Sequence, residues 1–152
     1  MTRILVIQGA NMAYLGKREP EIYGTTTAAE LDDMLQRRAR ERDVALEIFY
    51  THIEGEAIGR IYQAAEDGID GLLMNPAGFL HAGYALRDCV GAMKIPCVEV
   101  HMTNIEKRGR KSVTAEAARG TIAGFGVRSY FMGLDVLLDL IGDEKGGEGK
   151  VP

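Results

Sequence analysis

Ile95-Pro96-Cys97-Val98-Glu99-Val100-His101-Met102-Thr103-Asn104 decides the architecture of this chain. Pro96 opens an apolar run long enough for one buried parallel strand. Glu99 sits inside that run, and a charge is buried there only with a partner. Side chains two apart on a strand share a face, so Glu99 and His101 point the same way at the strand's carboxyl end, where open α/β sheets place their ligands. A carboxylate beside an imidazole holds its tautomer and raises its basicity. The spacing also fits a core glutamate paired to a helix, with His101 as a polar strand terminus.

Outward from this stretch, the chain alternates strand and helix patterns. Arg3–Ile7 is a β-branched run that breaks at Gln8-Gly9, and Val44–Tyr50, Ile69–Met74 and Thr121–Phe125 supply three more strands. Thr27-Ala28-Ala29-Glu30 is a capping-box signature for a helix to about Asp43. Thr51-His52-Ile53-Glu54 repeats it ahead of a stripe of Ile58, Ile61, Tyr62 and Ala65 that ends at Asp67-Gly68. Asn75-Pro76-Ala77-Gly78 reads as a turn leading into a helix from about His81 to Met93. A short helix begins at Thr114, and Val127–Ile141 predicts the last, with Tyr130, Leu134, Leu137, Leu138 and Ile141 inward. Residues 9–26 keep neither period and read as a long loop, a class of segment that is usually functional when ordered. The tail Asp143–Pro152, rich in Gly, Lys and Glu, is expected to be disordered, leaving residues 1–142 as a single domain.

Five strands alternating with helices imply a parallel sheet with right-handed crossovers and helices on both faces. For 152 residues the expected fold is a three-layer, flavodoxin-like, doubly wound α/β sheet of strand order 2-1-3-4-5. Strands one, three and four are then neighbours. Their carboxyl-end loops bring together Asn11, Arg18 and Tyr23, then Asn75 and His81, then Glu99 and His101.

Composition narrows the chemistry. A net charge of −4 argues against a nucleic-acid footprint, while the local basic stretch Lys107–Lys111 suits a small anion. Cys89 and Cys97 lie in apolar segments without ligand spacing, so they read as small buried hydrophobes in a reducing cytoplasm, with neither a metal nor a disulfide. No apolar run approaches the roughly 20 residues that span a membrane, and a soluble cytoplasmic protein is expected. Neither GxGxxG nor a Walker pattern is present. What remains is a tyrosine near an arginine, a histidine oriented by a carboxylate, and neutral or positive hydrogen-bond donors. That set suits proton abstraction next to a carbonyl followed by loss of a hydroxyl, and it needs no cofactor. Tyr23 as a loop anchor, His81 as a helix N-terminal polar group and Asn75 as a turn residue are the structural alternatives.

The sequence also resembles the type II 3-dehydroquinate dehydratases over about residues 3 to 141. The resemblance rests on Asn11 with Leu15-Gly16-Lys17-Arg18-Glu19-Pro20-Glu21-Ile22-Tyr23-Gly24, on Asn75-Pro76, His81 and Ala85-Leu86-Arg87-Asp88, and on Ile95-Pro96, Glu99-Val100-His101, Asn104-Ile105 and Ile122–Gly126. It implies the same flavodoxin-like fold, a trimer-based dodecamer, and anti-elimination of water from 3-dehydroquinate through an enolate, in the shikimate or quinate pathway. Carried over by position, Tyr23 matches the base, Arg18 the group that lowers its pKa, His101 the general acid and Glu99 its orienter. Asn11 matches the residue holding the enolate-stabilising water. Asn75 and His81 match ligands of substrate hydroxyl and carboxylate, the amides of Met102 and Thr103 the carboxylate cradle, and Asp88 a residue reaching a neighbouring subunit's site.

This chain departs from the family pattern near the substrate. It has Gly9-Ala10-Asn11 in place of Gly-Pro-Asn, and Ala82-Gly83 in place of a Thr-Ser pair. Its loop Glu106–Ser112 is shorter by about three residues than the family's, so Arg110 is the expected ligand of ring hydroxyls and Arg108 its rival. Lost hydroxyl partners change substrate preference strongly. Action on another polyhydroxy keto acid, or non-catalytic sensing of a shikimate-like acid, are therefore the competing functions.

Overall fold

The computed structural model describes residues 1–146. Its centre is β1 (Thr2–Ala10), where Ile4, Leu5, Val6 and Ile7 are all buried, as a strand covered on both faces requires. β1 pairs in parallel with β2 (Val44–Tyr50) on one side and β3 (Gly71–Ala77) on the other. β4 (Cys97–His101) and β5 (Gly120–Ala123) complete a sheet of order β2-β1-β3-β4-β5, the expected flavodoxin-like topology.

Alternation along the strands divides the core into two layers. Ile4, Val6, Leu73, Val98 and Val100 face α2 (Ala28–Glu41) and α5 (Arg128–Gly146). Leu5, Ile7, Leu72, Met74 and Cys97 face α3 (Glu54–Glu66) and α4 (Tyr84–Ala92). The capping box of α2 forms as expected, Thr27 accepting from the Glu30 N–H at 3.1 Å while Glu30 reaches back to the Thr27 N–H. Among the described residues no helix is long and apolar enough to cross a membrane.

Several expectations are corrected. Gln8-Gly9 does not end β1, and Asn75-Pro76-Ala77 is the end of β3 instead of a turn: the polar side chains of Gln8 and Asn75 find partners inside the fold. A single 3-10 turn at Gly78–Leu80 follows, and α4 starts at Tyr84, three residues after His81. The Thr51 motif does not cap α3. Thr51 bonds the Ile53 N–H and the Glu56 carboxylate, and Ile53 flanks the helix. The inward stripe of α3 is Ala57, Ile61 and Ala64, whose two small residues let the helix lie close to the sheet, and Tyr62 is turned to solvent. The 9–26 segment contains the last residues of β1, a 3-10 turn at Met12–Tyr14 and a one-turn helix, α1 (Pro20–Tyr23). β5 stops before Phe125, which is exposed. α5 continues through residues 143–146, part of the tail expected to be disordered, and the rest of that tail lies outside the described residues.

Candidate active site

The carboxyl ends of β1, β3 and β4 open into a cleft with about 670 Å³ of empty space, counting the open solvent at its mouth. β4 delivers His101, whose Nε2 lies 2.7 Å from Glu99 Oε2. Both side chains are buried, and Nδ1 of His101 has no protein partner among the described residues. Glu99 itself does not line the cleft: it stands behind His101, its second oxygen accepting from Thr114 Oγ1 at 2.5 Å. Thr114 is in turn bonded to Ser112 Oγ at 3.1 Å. The carboxylate thus has a hydrogen-bond donor on each oxygen, which fixes the imidazole it holds.

The segment after β1 supplies Asn11, Arg18 and Tyr23. Asn11 has a left-handed backbone, φ 78°, and its N–H donates to His52 Nδ1 at 3.0 Å. The guanidinium carbons of Arg18 and Arg108 lie 5.4 and 5.3 Å from the centroid of the Tyr23 ring. Arg108 also donates to Thr103 Oγ1 at 3.1 Å. Arg110 Nη1 is 2.9 Å from His81 Nε2. A guanidinium only donates, so this ring nitrogen of His81 is placed as the acceptor. Asn75 is almost wholly buried at the cleft floor.

Of the twelve residues expected at the site, ten line the cleft: Asn11, Arg18, Tyr23, Asn75, His81, His101, Met102, Thr103, Arg108 and Arg110. Arg108 and Arg110, set against each other as rivals, both line it with different partners. Asp88 does not. It lies on the exposed face of α4 against Arg87, away from the cleft. No carboxylate lines the cleft among the described residues, whereas three guanidiniums do, so the field inside favours an anion.

Sequence reasoning missed Thr114, Ser112, His52, Tyr130 and Gln8. Tyr130 carried one signal, because a tyrosine in an apolar helix stripe needs a partner for its hydroxyl. Gly83 explains one departure. A Cβ there would lie 2.5 Å from the Phe79 carbonyl oxygen, so the backbone has no room for a hydroxyl side chain. The N-terminus of α4 is instead served by Glu54 of α3, which accepts from the Leu86 N–H at 3.0 Å.

The chain matches the family model described as dehydroquinase class II over residues 2–138. It belongs to that family. A 3-dehydroquinate dehydratase of Leptothrix cholodnii is 44% identical over 147 residues, 95% of this chain and 99% of that one. A crystal structure of a type II dehydroquinase from Butyrivibrio crossotus superposes with a TM-score of 0.87 at 33% identity, covering 90% of this chain and 97% of that one. For another from Propionibacterium acnes the TM-score is 0.85 at 38% identity, with 94% and 98% covered.

Proposed function

We propose that this class II dehydroquinase is a hydro-lyase that removes water from 3-dehydroquinate to give 3-dehydroshikimate. The observation that carries the reading is the pairing, in one anion-favouring cleft, of Tyr23 beneath two guanidiniums with His101 backed by Glu99 and Thr114. Tyr23, with two guanidiniums against its ring, serves as the base that takes the proton next to the substrate carbonyl. The electrons move to the carbonyl oxygen, and the enolate is stabilised by a water held by Asn11. As the enolate collapses, the C–O bond breaks and His101 gives its proton to the departing hydroxyl, which leaves as water. Glu99 holds the imidazolium in place meanwhile. His81, Arg110 and the amides of Met102 and Thr103 hold the carboxylate and ring hydroxyls.

No step in this sequence calls for a cofactor. Asp88 completes the site of an adjacent subunit in a trimer-based dodecamer, and the protein works in the cytoplasm. The domain runs from β1 through the end of α5 at Gly146. Purified protein added to 3-dehydroquinate should produce ultraviolet enone absorbance, and size-exclusion chromatography with light scattering should give twelve times the chain mass. Folded protein without that absorbance would refute the assignment.

One observation favours a second reading, a related dehydratase for a different polyhydroxy keto acid. Ala82-Gly83 offers no hydroxyls, and Gly83 cannot be replaced without moving Phe79. Turnover of a less hydroxylated acid in preference to 3-dehydroquinate would select it.

A further inference from the structure

Behind the cleft, one row of residues crosses three strands. Gln8 of β1 is in register with Tyr50 of β2 on one side and with Asn75 of β3 on the other. All three point to the layer covered by α2 and α5, and α5 contributes Tyr130, fully buried among them. Asn75 Oδ1 accepts from the Ala77 backbone N–H at 2.9 Å. That group can only donate, so the orientation of the Asn75 amide is fixed. Nδ2 therefore faces Tyr130 and donates to its hydroxyl oxygen at 2.8 Å. The single hydroxyl proton of Tyr130 goes on to Gln8 Oε1 at 2.7 Å.

The price of this arrangement is visible at Gln8. With its carbonyl turned to Tyr130, its Nε2 is buried without a partner in hydrogen-bonding geometry, whereas an apolar residue of similar shape would carry no such cost. The reverse orientation would leave the Tyr130 proton without its acceptor. Meanwhile the second N–H of Asn75 meets only the Met12 sulfur at 3.5 Å, a weak acceptor on the cleft wall.

We propose that Tyr130 and Gln8 are positioning residues that lock the Asn75 amide so that it meets the bound substrate as a donor. The idea rests on the reading of Asn75 as a substrate ligand. Its content is directional: Asn75 offers an N–H to a hydroxyl or carboxylate oxygen and never an acceptor to a substrate proton.

Steady-state kinetics on 3-dehydroquinate test it, with Tyr130→Phe and Gln8→Met each made in the parent and in Asn75→Ala, and the melting temperature followed throughout. In the parent, Tyr130→Phe should lower kcat/KM about tenfold, mainly through KM, and Gln8→Met about threefold. In Asn75→Ala each should change kcat/KM by less than twofold, because the group they position is gone. Equal losses in both backgrounds, or no loss in the parent, overturn the proposal, and Gln8→Met carries the cycle if Tyr130→Phe does not fold. An Asn75→Ala variant as active as the parent removes the reading of Asn75, and the proposal with it. Hydrogen exchange of the 15N-labelled protein gives a substrate-independent readout: one Asn75 side-chain N–H should exchange slowly and lose that protection in Tyr130→Phe. Protection in a protein inactive on 3-dehydroquinate supports the positioning and refutes the substrate. Its absence from the parent overturns the positioning.

Discussion

Arg108 lies as near the Tyr23 ring as Arg18 does, 5.3 Å against 5.4 Å from the guanidinium carbon to the centroid. Two positive groups therefore bear on one phenol, and removing either leaves the other in place. Tyr23→Phe should lower kcat by at least about a hundredfold with KM little changed, the scale of a lost general base. Arg18→Ala and Arg108→Ala should each lower kcat, because each takes a cationic group away from the base. The double variant should lower it further. If only Arg18→Ala lowers kcat and Arg108→Ala raises KM, Arg108 binds substrate and does not assist the base.

Thr114 holds the far oxygen of the buried Glu99. Thr114→Val keeps the shape but takes away the donor, so it should cost about 1–3 kcal/mol of stability. It should also reduce kcat several-fold through a looser His101. Glu99→Gln, which removes the negative charge beside the imidazole, should reduce kcat by more than tenfold. Urea unfolding and kcat on the same preparations decide the matter, and a Thr114→Val enzyme with unchanged kcat would make Thr114 a purely structural group.

The pair Glu99 and His101 was legible because strand periodicity is local: two residues apart is one face, whatever lies elsewhere. Gln8-Gly9 reads as a break and Asn75-Pro76 as a turn because polar, glycine and proline residues normally interrupt a central strand. What keeps Gln8 and Asn75 in the sheet is Tyr130, a partner 122 and 55 residues away that no local pattern reveals. Thr114 was hidden in the same way, its hydroxyl meeting a carboxylate on another strand. Arg108 and Arg110, rivals for one role in the sequence, both line the cleft. Both backbone N–H groups bond the Ile105 carbonyl, and Gly109 between them has φ 67°, so neighbouring arginines leave a tight turn toward Tyr23 and toward His81.

Tyr50 and Tyr130 should make the protein sensitive to alkali. Burial holds the Tyr130 hydroxyl well above the usual tyrosine range, and burial together with the hydrogen bond to the Asp32 carboxylate does the same for Tyr50. In the unfolded chain both ionise near pH 10, while the folded protein keeps their protons. The folded state then binds more protons, so stability is fully present below about pH 10 and falls as the pH rises beyond it. Urea midpoints between pH 8 and 11.5 should show this fall, and Tyr130→Phe should make it shallower. A midpoint that does not change up to about pH 11 would mean that these phenols are solvated.

Ala77 is the last residue of β3 and lines the cleft, yet its backbone has φ 47° and ψ −123°, a region that residues with a Cβ rarely occupy. Its N–H is needed there to fix Asn75, so the strain is bound to the site. Such a conformation costs roughly 1–3 kcal/mol, and glycine relieves it while losing about 0.4–1 kcal/mol to the greater freedom of the unfolded chain. Ala77→Gly should therefore raise stability by about 1 kcal/mol and leave kcat/KM within about twofold. Gly78→Ala should do the reverse. A Cβ at Gly78 would lie 3.0 Å from the Ala10 Cβ and 3.3 Å from Asn11 Nδ2, crowding the residue assigned to the enolate's water. Its melting temperature and its kcat should both fall. If Ala77→Gly instead melts below the parent, the backbone at Ala77 is relaxed in solution and the turn into the 3-10 segment has another shape.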